Sequence, residues 1–347
     1  MKNATGMVKT RLRLHAALLA AMFLSPLLLS CSSEEKPCVK ETFVMGTRCV
    51  ITIYGMEQER ASGIAGEAFH ELHRLESMMS NWIGDSELSR LNAAVGPAPV
   101  SVSPELFEII ELSLRYSSLT GGAFDATARP IVRLWGFQRS EGEPGPGDIP
   151  TDGEIAAALG LCGYSRVKLD AEALTVTLPE GMQIDLAGIG KGYGVDRCVK
   201  ILREGGVTSA LVNLSGNMYA IGTPPGREGW SIGLRDPHGG NGIVGRFRIT
   251  DEAVATSGNY ENFVVIGDRR YGHIVDPRTG TTVDHLLSVT IVAPSAVEAD
   301  ALSTGFFVLG PRASREVADS LPGVRAAFAL EDDSFEFIGG SAWDIEY

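Results

Sequence analysis

The order of patterned segments predicts an α+β fold, with mixed and antiparallel sheets flanked by helices. Helical periodicity clusters early, over residues 58 to 79 and from Ser103 to about Leu119. Strand-like runs dominate from 166 to 292 without the strand–helix alternation of a parallel sheet. The 347 residues are 44% hydrophobic and 21% charged, which gives a sizeable core. One large domain and two fused lobes both fit that length.

Taken in order, the chain opens with Lys2, Lys9, Arg11 and Arg13, then an apolar stretch from Leu14 to Leu29 interrupted by His15, Ser25 and Pro26. This reads as a removable signal peptide over residues 1 to 30, too short and broken for a membrane span. It ends Leu28-Leu29-Ser30-Cys31, similar to a bacterial lipoprotein cleavage site with Cys31 as the lipidated residue. An ordinary signal peptide followed by a chance cysteine is the other reading. Residues 31 to 39 are expected as a lipidated cysteine and polar tether, and 40 to 347 as the folded domain. The expected location is the periplasmic face of a bacterial envelope membrane, held by lipid.

Lys40 to Tyr54 is rich in Val, Ile and Thr and predicts a strand on either side of Met45-Gly46-Thr47. Ala65, Ala68, Phe69, Leu72, Leu75 and Met79 recur at helical spacing. His70 and His73 share that helix but complete no HExxH zinc pattern, and are expected at its surface. Ser103-Pro104-Glu105 opens the next helix, and Gly121-Gly122 ends it. Residues 139 to 153, rich in Gly, Pro and Asp, are expected as an exposed loop where one lobe hands over to the next. Strands are expected at 166–169, 173–178 and 182–186, followed by a helix from Gly190 to Arg203. Further strands are expected at 208–214, 230–235, 244–249, 262–266, 270–275 and 286–292. Ser295 with Glu298 reads as a capping box for a helix over 296–309. A short helix at 311–319 and strands near 325–330 and 335–338 complete the chain.

The net charge is −13. The first thirty residues hold four Lys/Arg and no acid, leaving 26 Lys/Arg against 43 Asp/Glu, or −17, in the remainder. Such a surface does not attract nucleic acid. Of the other cysteines, Cys38, Cys49, Cys162 and Cys198, none forms a CxxC pair, which argues against structural zinc. Their pairing is not readable from sequence, and Cys198 is expected as a small core residue of a helix.

Three segments carry chemistry. Asp300 and Thr304 lie four apart on the helix that Ser295 opens, so they share a face. A carboxylate beside a hydroxyl is a bed for Mg²⁺ or an ordinary solvated face. Asp185-Leu186-Ala187-Gly188-Ile189-Gly190-Lys191-Gly192-Tyr193 places an acid and a glycine-rich turn before a helix. It matches neither the Walker nor the Rossmann pattern, and reads as a phosphate cradle or a tight connection. His273, ahead of the turn Asp276-Pro277-Arg278-Thr279-Gly280, is either a general base or a histidine bonded to structure.

These segments occur in order with Met45-Gly46-Thr47, Ser80-Asn81-Trp82, Gly122-Ala123-Phe124-Asp125 and Asn213-Leu214-Ser215-Gly216-Asn217. Together they closely resemble the ApbE family, FAD:protein FMN transferases that are often periplasmic lipoproteins. The resemblance runs over nearly the whole chain beyond Thr42. It implies an α+β enzyme with FAD in a cleft between lobes. It also implies Mg²⁺-dependent transfer of FMN from FAD to a threonine of an acceptor protein, with release of AMP. By motif, Asp300, Thr304 and the carbonyl of Gly188 fall where the family binds metal. Met45, Trp82, Ala123, Phe124, Asp125, Asp185, Lys191 and Ile274 fall where it contacts FAD, and Asn81 near the adenine side. His273 is the candidate base. The chain holds no segment like the family's acceptor motif, so the acceptor is expected to be another protein, a flavin-carrying subunit of a membrane redox complex. Two alternatives keep the same site: an FAD pyrophosphatase yielding FMN and AMP, and an FAD-binding lipoprotein without chemistry.

Overall fold

The computed structural model describes residues 36–347 apart from 95, 97, 138–148, 239–241, 260–262, 267–268, 333, 340–342, 344 and 347. The signal peptide, Cys31, most of the tether and the centre of the expected 139–153 loop lie outside the described residues. Pro37–Tyr347 forms one compact unit.

The chain runs β1 (Cys38–Val44), β2 (Thr47–Tyr54), α1 (Gln58–Met79), α2 (Glu87–Ala93), β3 (Val100–Ser101), α3 (Pro104–Leu119), α4 (Arg129–Leu134) and α5 (Asp152–Leu159). It continues β4 (Lys168–Asp170), β5 (Thr175–Thr177), α6 (Gly190–Glu204), β6 (Ser209–Leu214), β7 (Asn217–Ile221), β8 (Trp230–Arg235), β9 (Ile243–Ile249) and β10 (Ala253–Gly258). The remainder is β11 (Phe263–Ile266), β12 (Arg269–Gly272), β13 (Ser288–Ala293), α7 (Ala296–Asp319), β14 (Arg325–Ala329) and β15 (Phe335–Ile338). The main sheet is ordered β1-β2-β6-β7-β10-β13-β14-β15 and is antiparallel throughout, in keeping with the α+β class.

One face of this sheet is covered by α1, α6 and α7. Cys49, Ile51 and Ile53 of β2 and Val289 and Ile291 of β13 are buried there with Leu72, Leu75, Leu202, Leu302 and Phe306 of the helices. The hairpin β8–β9 covers part of the opposite face, where Trp230, Ile232, Leu234, Phe247 and Ile249 pack with Ala220, Val254 and Val292. A third cluster, Ile131, Trp135, Ala158, Cys162, Tyr271 and Val275, forms a small lobe from α4, α5 and the β12 region.

Two tight hairpins meet at one end of the sheet. Met45 and Gly46 join β1 to β2, and Ser215 and Gly216 join β6 to β7, all four with positive φ. Such two-residue turns match the strand twist. Because Cys49 pairs with Leu214, the two tips lie at the same end.

Asp196 of α6 accepts hydrogen bonds from the backbone N–H of Ala296 and Val297, at 2.8 and 2.9 Å. That corrects the expected capping box: Ser295 accepts from Glu298 N, but the acid that closes the cap comes from a neighbouring helix. Gly310 (φ 72°) and Pro311 break α7 where the sequence divides two helices.

Residues 182–186 are not a strand. Ile184 N donates to Asn92 Oδ1 and Asp185 N to the carbonyl of Ala126, so single loop bonds replace a ladder. The loop expected to run to 153 ends earlier, because Thr151 and Glu154 form a full capping box that starts α5. His70 and His73 are exposed, and Cys198 is buried on α6, both as expected. Cys38, Cys49, Cys162 and Cys198 are buried free thiols. Among the described residues no helix is long and apolar enough to cross a membrane.

Candidate active site

A cleft of about 470 Å³ opens between the hairpin end of the main sheet, the start of α6, α7 and the small lobe. Its walls hold eleven of the expected residues: Met45, Ala123, Phe124, Asp125, Asp185, Gly188, Lys191, His273, Ile274, Asp300 and Thr304. Such a volume is in the ordinary range for cofactor-sized ligands.

The floor is built where α6 and α7 nearly touch. A Cβ on Gly192 would stand 2.2 Å from the carbonyl oxygen of Ala296 and 2.7 Å from Asp300 Cβ. Only glycine permits that approach. It lets the N–H of Gly192 donate to Asp300 Oδ2 at 2.8 Å. Asp300 is 5% exposed. Burial raises its pKa, and the nearby Lys191 charge and the Gly192 N–H act against that rise. A Cβ on Gly188 would lie 3.1 Å from the Phe124 ring and 3.4 Å from Thr304 Oγ1, so the Gly188 backbone closely faces that hydroxyl.

Oxygen groups therefore gather from two segments: the buried carboxylate and the hydroxyl of α7, and the backbone of Gly188. Asn217, at the tip of β7, adds a buried side-chain oxygen with no hydrogen-bond partner. Among the described residues no three His, Cys, Asp or Glu cluster as a softer metal site would need. An oxygen-only set with one carboxylate fits Mg²⁺.

Asp125 does structural work. Its carboxylate accepts from Thr127 N and Oγ1, both at 2.7 Å, and from Tyr164 N at 3.0 Å. Burial raises its pKa while these bonds lower it. Asp185 accepts from Ala187 N at 2.9 Å and from Asn81 Nδ2 at 3.4 Å. Asn81 also donates to the carbonyl of Ile184 and accepts from Asn92. Neither Asn81 nor Trp82 lines the cavity: Asn81 braces Asp185 from behind, and Trp82 is a 64% exposed side chain. His273 follows β12 directly, with Phe137 edge-on at 6.5 Å. The turn behind it forms as expected, with Gly280 N donating to the Asp276 carbonyl at 2.8 Å.

The ApbE family model matches residues 45–328. The chain belongs to the ApbE family. Curated relatives named FAD:protein FMN transferase include one from Treponema pallidum, 37% identical over 83% of each chain. Another, from Escherichia coli K12, is 30% identical over 92% of this chain and 93% of its own. Among solved structures, the ApbE protein of Thermotoga maritima has a TM-score of 0.79 at 32% identity, over 87% of this chain and 96% of that one. The flavin transferase ApbE of Vibrio cholerae has 0.78 at 28% identity, over 89% and 98%.

This ApbE chain has cleft residues that its motifs did not reveal. Arg129, at the start of α4, lines the cavity with a buried Nε that has no hydrogen-bond partner. Burial lowers its pKa, while the Asp185 carboxylate raises it. Arg129 sits between Ala128 and Pro130, outside any recognisable signature. Asn217 ends the Asn213–Asn217 segment, whose pattern alone assigns it no role. Ser303, between the two metal-type residues, turns its hydroxyl away: it bonds the Asp300 carbonyl and Ser257 Oγ, both at 2.8 Å.

Proposed function

We propose that this enzyme transfers FMN from FAD to a threonine hydroxyl of an acceptor protein, with Mg²⁺, as a lipoprotein anchored through Cys31 on the periplasmic side of a bacterial envelope. Family membership supports flavin transfer. One observation carries the chemistry: a buried carboxylate, Asp300, beside Thr304, the Gly188 backbone and two cationic side chains in a single cleft.

The charge balance supports a cation. Among the described wall residues, Asp125, Asp185 and Asp300 are set against Arg129 and Lys191, a formal balance of one negative charge. A pyrophosphate adds further negative charge. Mg²⁺, held by Asp300, Thr304 and the Gly188 carbonyl, would neutralise phosphoryl oxygens. The threonine oxygen bonds to the FMN phosphorus, the bond to the bridging oxygen breaks, and AMP departs. His273 takes the hydroxyl proton during attack. Lys191 and Arg129 hold the phosphates, and Phe124 and Ile274 give a planar ring an apolar wall. Phosphoryl transfer of this kind needs positioning and charge stabilisation rather than a covalent enzyme intermediate.

The full chain, incubated with FAD, Mg²⁺ and a purified candidate acceptor, is expected to give a fluorescent acceptor band on a denaturing gel together with AMP. AMP and free FMN without a band would mean hydrolysis. FAD that stays bound and intact would mean a carrier. The anchor is supported by the basic and apolar pattern before Cys31, and Cys31→Ser should abolish palmitate incorporation.

A further inference from the structure

The acceptor needs a way to reach a phosphate deep in this cleft. The strand ladder is interrupted at a suitable place. β10 pairs with β13 over six residues, Ala253 to Gly258, but with β7 at Ala253 and Val254 only. Beyond Val254, the side of β10 toward β7 meets the Ser215–Gly216 hairpin tip instead of a strand. A second cavity of about 320 Å³ lies on the outer sheet face at this gap. Ser215 and Thr256 line both cavities, so the two adjoin at this gap.

We propose that this second cavity holds an extended, acidic segment of the acceptor protein and delivers its threonine through the gap into the cleft. The proposal rests on the transferase reading above. Its chemistry follows from the lining. The floor is polar, with Asn213, Ser288 and a Thr256–Thr290 hydroxyl pair at 2.8 Å. A polar floor beside an interrupted ladder suits the backbone amides of an extended peptide better than an apolar helix. Arg48 and Arg235 stand on the walls of a chain that is otherwise strongly acidic. Arg48 pairs with Glu41, but both are well exposed, and such a pair is easily exchanged for another carboxylate. Phe43, which pairs in register with Arg48 and is 70% exposed, offers an apolar contact at the same rim.

The test uses the acceptor that the wild-type chain labels, with Arg235→Glu to reverse the rim charge and Ala327→Leu to fill the cavity. Circular dichroism checks that each variant folds. Each should raise the acceptor KM about tenfold while FAD affinity stays within about twofold of wild type. A peptide spanning the acceptor threonine, with valine in its place, should compete with the acceptor for wild type and about tenfold less well for Arg235→Glu. Unchanged KM in both folded variants would overturn the groove while leaving the transferase intact. A parallel loss of FAD affinity would also overturn it, because the cavity would then belong to FAD. If wild type consumes FAD yet labels no acceptor, the transferase reading fails and the groove falls with it.

Discussion

Asp300 sits in the cleft with its charge opposed by burial and supported by the Lys191 charge, the backbone N–H groups of Lys191 and Gly192 and the Asn217 side chain. A carboxylate in that position gains from a bound cation. Asp300→Asn keeps the shape and removes the charge, so kcat should fall by at least about 100-fold, and raised Mg²⁺ should not restore it. Normal activity at low Mg²⁺ would remove Asp300 from the metal site. Arg129→Ala should raise the FAD Kd about tenfold with kcat at saturating FAD changed less, measured by flavin fluorescence quenching. The two residues differ in how they announce themselves. Asp300 and Thr304 follow a helix start at helical spacing, so local geometry pairs them. Arg129 reaches the cleft through the tertiary placement of α4, which no local pattern encodes. Asn81 and Trp82 are the converse: their motif is readable, but their side chains brace or flank the cavity.

At the scale of elements, the contact of α6 with α7 builds the floor. Gly192→Ala inserts a Cβ 2.2 Å from a backbone oxygen, which neither helix can yield without separating. We expect a loss of about 3 kcal/mol in urea unfolding, together with loss of Mg²⁺-dependent turnover. The same pair is tied by Asp196, whose pKa burial pushes up to about 6. A carboxyl raised from its ordinary value stabilises the fold fully below about pH 4, and that contribution is lost as pH rises through about 6. Relative to wild type, Asp196→Asn should therefore gain about 3 kcal/mol between pH 4 and 7, read from urea curves at each pH. No change in that difference would show that Asp196 titrates normally. The long helices and the first hairpin were legible because their cores repeat at 3.6 or 2 residues. The segment 182–186 misled because Ile184 and Leu186 alternate as a strand does, whereas its bonds go to Asn92 and Ala126. β7 and β10 are not legible because β7 has only five residues and β10 is rich in small ones, and the neighbouring ladder makes each a strand.

For the whole molecule, the cleft is shared by the main sheet, two helices and the small lobe, so a ligand there links parts that otherwise hold together through separate clusters. FAD with Mg²⁺ should raise the melting temperature by roughly 5 °C at saturating concentrations, and FAD alone by clearly less. Equal shifts with and without Mg²⁺ would mean that the cation does not help hold the phosphates. The α+β class and the identity of most cleft residues were readable in the sequence. The division of the cleft walls between main body and small lobe was not, because Ile131, Cys162 and Tyr271 meet only in the folded chain.

The four buried thiols give the molecule an internal clock. Burial pushes Cys49 up to about 12, Cys162 up to about 11 and Cys198 well above its ordinary value, so none of these three is an accessible thiolate in the native state, and Cys38 is shielded by burial at 3% exposure. An alkylating reagent can modify them only during an opening event. The four sit in different parts of the structure, on β1, on β2, after α5 and on α6. The order in which they are alkylated would therefore trace which region loosens first, and whether a bound flavin keeps the small lobe shut.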